Sequence, residues 1–166
     1  MIILRNVLVA TDFSPPSDVA LTYARALART FGASLHVLHV VENFFLRPTP
    51  SDPHAIVATK TRTLHERLTD DDRHALHAKA IVEVSDAPAD AIVEYARTAT
   101  IDLIVMGTHG RSAMSHILVG SVAERVVRGA PCPVLTVRHP EHEFVIPDSS
   151  ERRDDHDSPQ EDSRRN

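Results

Sequence analysis

Five short runs of apolar, largely β-branched residues are spaced along the first 138 residues, at 6–10, 34–41, 78–84, 103–106 and 133–137. Runs this short and this continuously apolar suit strands covered on both faces. The segments between them carry helical spacing instead. Ala20, Tyr23, Ala24, Leu27, Ala28 and Phe31 recur at three- and one-residue steps and define one apolar face. Ser14 is placed as the N-cap of that helix, prolines follow in its first turn, and Gly32 is placed to end it. Between Glu42 and about residue 53, Pro48, Pro50 and Pro53 predict a loop, followed by a polar helix over roughly 53–75. Pro88 opens a helix containing Ile92, Val93, Ala96 and Ala99. Val122, Ala123, Val126, Val127 and Ala130 mark a final long helix, closed by Gly129 and Pro131. Five strands separated by four helical segments predict a single α/β domain: an open parallel five-stranded sheet with helices on both faces.

Charge divides the chain at about residue 139. Residues 139–166 hold nine acids and four arginines, which accounts for the whole net charge of −5 and leaves 1–138 formally neutral. A neutral domain argues against a nucleic-acid partner bound by bulk phosphate neutralisation, but not against a small anion held by local geometry. The tail is rich in Asp, Glu, Ser, Pro and Arg, so it is expected to be disordered. No stretch is long and apolar enough for a membrane span, no secretory signal opens the chain, and the single Cys132 has no disulfide partner; the expected setting is the cytoplasm. Cys132, between Pro131 and Pro133 at the start of an apolar run, is expected to face the core.

Glycine is scarce, and its placement is informative. Of five glycines, Gly32 and Gly129 sit where helices should end, while Gly107, Gly110 and Gly120 fall within fourteen residues after the most apolar strand and before a helix. Glycine there lets backbone N–H groups approach phosphate oxygens and tolerates positive φ. A helix starting near Gly120-Ser121 adds its free N–H groups and positive dipole end. Thr108, Ser112 and Ser121 supply hydroxyls, and Arg111 a positive charge. A plain strand-to-helix loop that needs glycine to turn accounts for the same residues. The spacing is neither the dinucleotide fingerprint nor the phosphate loop ending in Gly-Lys-Ser/Thr.

Gly107-x2-Gly110-x9-Gly120-Ser121, after Leu103-Ile104-Val105-Met106, resembles the ATP-binding signature of the universal stress protein family. Val7 to Ser14 resembles that family's first strand and turn, His39-Val40-Val41 the end of its second strand, and Pro131 to Val137 its last strand. The similarity covers residues 4–138. It implies strand order 3-2-1-4-5, an adenine nucleotide alpha hydrolase-like arrangement, with a nucleotide at the switch between the first and fourth strands. It further implies Asp12 near ribose or adenine and the Val40 backbone at the adenine edge. Gly107, Gly110, Arg111, Gly120, Ser121 and Val122 would surround the phosphates. ATP is the implied cofactor, with Mg²⁺ or Mn²⁺ chelated mainly by its phosphates, and a homodimer through the last strand is the implied assembly. Asp86 departs from the family pattern, which has glycine at that position; its carboxylate near the sheet edge would oppose a polyanion.

The remaining polar clusters read more simply. His74 and His77, or His36 and His39 on opposite strand faces, lack the partners of a metal site and are expected to be solvated or core histidines. His109, inside the glycine segment, fits phosphate contact and simple exposure equally. Asp70-Asp71-Asp72 is expected to be a solvated helix end or turn. Asp12 and Ser14 lack a partnered base for nucleophilic catalysis, and capping accounts for Ser14. The function expected is an ATP-binding stress-response switch or regulator with slow or no hydrolysis. The alternatives are an ATPase or adenylyl-transfer enzyme, which needs a base and a metal site, and a dimeric interaction module without nucleotide.

Overall fold

The computed structural model describes residues 1–42, 52–108 and 120–138. The apolar runs form strands β1 (Asn6–Ala10), β2 (Ser34–Val41), β3 (Lys79–Val84), β4 (Leu103–Gly107) and β5 (Val134–Val137). Between them lie helices α1 (Pro15–Phe31), α2 (Pro53–Arg67), α3 (Asp70–His74), α4 (Pro88–Thr98) and α5 (Ser121–Gly129). All strand pairs are parallel and the order is β3-β2-β1-β4-β5, as expected. The expected proline loop, the middle of the glycine segment and the acidic tail lie outside the described residues.

Alternation along the central strands feeds two cores. Val7, Val9, Leu35, Val37 and Val105 pack against Ala20, Ala24 and Ala28 of α1 and Leu64 of α2. Leu8, Leu38, Ile104 and Met106 point the other way, onto Ala89, Ile92 and Ala96 of α4 and Ala123 and Val126 of α5. Helices therefore cover both faces, and each fully buried Val or Leu stabilises the fold by roughly 1.5–3 kcal/mol. Alanines on the inner helix faces let the helix axes approach the sheet. Among the described residues no helix is long and apolar enough to cross a membrane.

Several expectations need correction. The polar stretch 53–75 is two helices, not one. Leu68 is extended, and Thr69 starts α3 with a capping box: its hydroxyl accepts from Asp72 N–H (3.1 Å) and the Asp72 carboxylate accepts from Thr69 N–H (2.9 Å). Asp72 is accordingly not solvated; it is fully buried and ion-paired with Arg25 of α1. Helix α5 is short, at nine residues, and its Val127 is 51% exposed because it lies on the outer face. Phe31, the last residue of α1, is 39% exposed. Gly32 does end α1 in the left-handed region, φ 64°, with its N–H directed at the carbonyls of Ala28 and Arg29.

Candidate functional site

The sheet order creates a switch point. From β1 the chain crosses through α1 to β2 on one side, and from β3 it crosses through α4 to β4 on the other. β1 and β4 are neighbours whose helices lie on opposite faces, α1 on one and α4 and α5 on the other; open α/β sheets hold ligands at the C-terminal edge of such a switch point.

A tight turn follows β1. Thr11 N–H donates to Leu38 O (2.9 Å), the last rung to β2. The Asp12 carboxylate accepts from Ser14 N–H (3.0 Å) and also from the Ser14 hydroxyl. Ser14 occupies the N-cap of α1 as expected, but its side chain makes no cap hydrogen bond, because the hydroxyl serves Asp12 instead. Ser17 Oγ donates its single proton to Ser14 O (2.8 Å), so the Thr11 hydroxyl donates to Ser17 Oγ (3.0 Å) and accepts from Phe13 N–H (3.1 Å). Phe13 sits at φ 66°, a conformation that costs a non-glycine residue about 1–2 kcal/mol. Its ring lies 4.3 Å from the His39 ring, with Lys60 Nζ at 5.2 Å and the Arg67 guanidinium at 5.1 Å from its centroid. Those contacts offset the strain. Arg67 is also ion-paired with Asp18.

Val40 lies two residues beyond the last β1–β2 pair, Ala10 opposite Leu38. Backbone groups alternate in direction along β2. Ser34 N–H reaches Arg5 O and Leu38 O accepts from Thr11, both toward β1, whereas Val41 O accepts from Ser85 N–H on the β3 side. By that alternation the Val40 N–H and C=O point toward β1, past the place where β1 has turned away.

The β4 end brings in the glycine segment. A Cβ on Gly107 would stand 3.0 Å from Pro16 Cβ and 3.1 Å from Pro16 C, so packing against the first turn of α1 demands glycine there whether or not a ligand binds. Thr108 N–H donates to Val137 O (2.8 Å), and Thr108 O accepts from Gly120 N–H (2.5 Å), which brings the start of α5 to the same edge. Gly120 is the N-cap of α5 and supplies no side-chain cap. The first-turn N–H groups of Ser121, Val122 and Ala123 thus form a donor set at the positive end of the helix. Ser121 is exposed and Val122 is half-buried against the second core. Glu124 adds an opposing charge in that turn, drawn off by Arg128 (2.9 Å). Gly110 and Arg111, with His109 and Ser112, lie outside the described residues. Asp86 is exposed, in the turn ahead of α4.

The edge therefore gathers Asp12, Val40, Gly107, Gly120, Ser121 and Val122. Sequence reasoning missed Phe13, His39, Lys60 and Arg67, which shape the Asp12 turn. The available signal was weak: His39 is a polar residue next to Val40, but β2 also carries Ser34 and His36. His36, on the opposite strand face, bonds Tyr95 Oη through Nδ1 (2.9 Å) and leaves Nε2 buried without a partner. Burial first, and the Lys79 charge second, lower its pKa to about 4. His74 and His77 are exposed. Among the described residues no three His, Cys, Asp or Glu side chains converge on a common point.

Residues 4–138 match the universal stress protein family. A universal stress protein of Methanocaldococcus jannaschii is 33% identical over 150 residues, covering 84% of this chain and 85% of the relative. A universal stress protein solved in complex with cAMP superposes with a TM-score of 0.62 at 28% identity, over 82% of this chain and 98% of its own. One from Archaeoglobus fulgidus, solved in complex with dAMP, gives 0.60 at 25% identity, over 82% and 99%.

Proposed function

The chain belongs to the universal stress protein family, and on that premise we propose that it binds an adenine nucleotide, ATP foremost, as a switch in the response to stress. The observation that carries the reading is the edge shared by Asp12 and Val40: a carboxylate held by Ser14 beside backbone N–H and C=O groups that face the β1 side beyond the last β1 partner. A ribose hydroxyl suits the first and a base edge the second. The uncapped N-terminus of α5, tied to β4 through Thr108, suits the phosphates, with Gly107, Gly110, Arg111, Gly120, Ser121 and Val122 around them. The similar folds that hold cAMP and dAMP support the same ligand class.

In this reading Mg²⁺ or Mn²⁺ travels with the nucleotide, held chiefly by phosphate oxygens. The Asp12 carboxylate is engaged by Ser14 rather than poised as a base, which suits binding with slow or no hydrolysis. The nucleotide-binding unit is 1–138, the acidic segment 139–166 lies outside it, and the setting is the cytoplasm. Pairing of two copies through β5 is supported by its place at the sheet edge and by Leu135, 36% exposed there. Titration of the purified protein with ATP, cAMP and dAMP, alongside Asp12→Asn, tests the proposal. Binding at about one nucleotide per chain, weakened roughly tenfold by Asp12→Asn through the lost charge-assisted bond, is expected. A wild type that takes up none of the three overturns it.

A further inference from the structure

We propose that His39 is a positioning residue: by donating to the Thr11 carbonyl it ends the β1–β2 ladder and leaves the Val40 N–H and C=O to read the edge of a planar base. The proposal rests on the nucleotide reading above. In a parallel ladder the rung after Thr11 N–H to Leu38 O runs from Val40 N–H to Thr11 O. Here that rung is not formed, and Thr11 O accepts from His39 Nδ1 at 2.8 Å, which holds the carbonyl toward the imidazole. That contact requires the Nδ1–H form of the imidazole, because a carbonyl only accepts.

The ring is held in place from three directions. Its Nδ1 is fixed by Thr11, one face meets Phe13 at 4.3 Å, and the side chain is buried. Phe13 in turn is in the left-handed region and carries Lys60 and Arg67 over its ring, so α2 braces the arrangement from outside. The chain past Thr11 is thereby turned away from β2, and Val40 keeps a donor and an acceptor side by side facing the crevice. Such a pair complements an edge that offers an acceptor ring nitrogen beside an exocyclic amino group, as adenine does. It mismatches hypoxanthine, whose edge offers N–H beside a carbonyl. A site built on paired hydrogen bonds rejects the mismatched analogue strongly, because its own polar groups are then left unmatched.

The test measures affinities of the full chain for ATP and inosine triphosphate in wild type, His39→Leu, His39→Asn and His39→Gln, and follows Val40 amide exchange by NMR. Asn places its donor nitrogen where Nδ1 stands; Gln places it one bond further out. Wild type is expected to prefer ATP by about tenfold or more. His39→Leu and His39→Gln should bring the two affinities within about twofold by weakening ATP alone, since the phosphate contacts are untouched. His39→Asn should keep most of the preference. The Val40 amide should pass from fast exchange in wild type to protection in His39→Leu as it closes on Thr11 O. Should His39→Leu not fold, the Asn and Gln pair still separates the outcomes. An unchanged ratio in His39→Gln, or a Val40 amide already protected in the free wild type, overturns the proposal. Absence of binding by either triphosphate overturns the nucleotide reading, and Val40 exchange then still decides whether His39 ends the ladder.

Discussion

Arg25 on α1 holds the Asp72 carboxylate on α3 through Nε, 3.0 Å from Oδ1, and Nη2, 2.7 Å from Oδ2, with the Asp72 side chain fully buried. The same Arg25 Nη2 donates to Arg67 O (2.7 Å), and Asp72 accepts from Thr69 N–H, so one pair ties together α1, the end of α2 and the start of α3. Removing one partner of such a pair leaves a buried charge without compensation. Arg25→Met is expected to cost about 3–5 kcal/mol. Asp72→Asn, which keeps an acceptor for Thr69, should cost less. Urea unfolding of the two variants checks the order, and equal losses below about 1 kcal/mol, the scale of a surface pair, would contradict it.

His36 predicts an acid-side loss of stability. Its folded pKa, about 4, lies below the unfolded value of 6.5. Above pH 6.5 both states are neutral and the stabilisation is complete. As pH falls from 6.5 toward 4 the unfolded chain takes up a proton that the folded one refuses, so stability declines, and below 4 this contribution is flat. The displacement is worth on the order of 3 kcal/mol. Unfolding free energies at several pH values should show a shallower slope between pH 4 and 6.5 for His36→Leu than for wild type. A wild-type slope in the variant would rule out His36 as its source.

Gly107 and Gly32 are required for different reasons, and alanine separates them. At Gly107 the new Cβ meets Pro16 at 3.0 Å, much of it backbone, so α1 or β4 must shift at about 1–3 kcal/mol. At Gly32 nothing lies within 4 Å, and the cost is the left-handed φ of 64° alone, about 1 kcal/mol. Thermal midpoints should fall for both variants. In Gly107→Ala, repair by Pro16→Ala is not expected to be complete, since Pro16 C and O also crowd the site; a fully silent Gly107→Ala would remove the packing argument.

Cys132 is half-buried against the second core, as its position between two prolines suggested. Burial chiefly, with Asp102 adding to it, raises its thiol pKa against a smaller opposing contribution from the Ile104 backbone. The thiolate is the reactive form. Alkylation at pH 8 should therefore be slower in the folded protein than after denaturation in urea, and equal rates would show that Cys132 is freely accessible.

Much of this was legible beforehand because its causes are local. Strand runs, the apolar faces of α1 and α4 and the αL glycine at position 32 follow from spacing and backbone sterics within a few residues. The glycine at the end of β4, the turn at Asp12 and the strand end at Val40 all fall at one edge of the sheet. What escaped depended on partners distant in sequence. Asp72 looked like one of three solvated acids until Arg25, 47 residues away, was brought to it. Ser14 is the N-cap residue its position suggested, but the turn gives its hydroxyl to Asp12 and not to the helix.

The sequence by itself determined the α/β class and the parallel sheet, because hydrophobic period and chain connectivity leave few alternatives. Only the tertiary structure decided that the His39 ring meets the Thr11 carbonyl and that Phe13 turns left-handed beneath two cations. Each of those outcomes is a competition between backbone and side-chain partners for one hydrogen bond or one ring face. Such competitions are settled by which groups the packed core brings within reach.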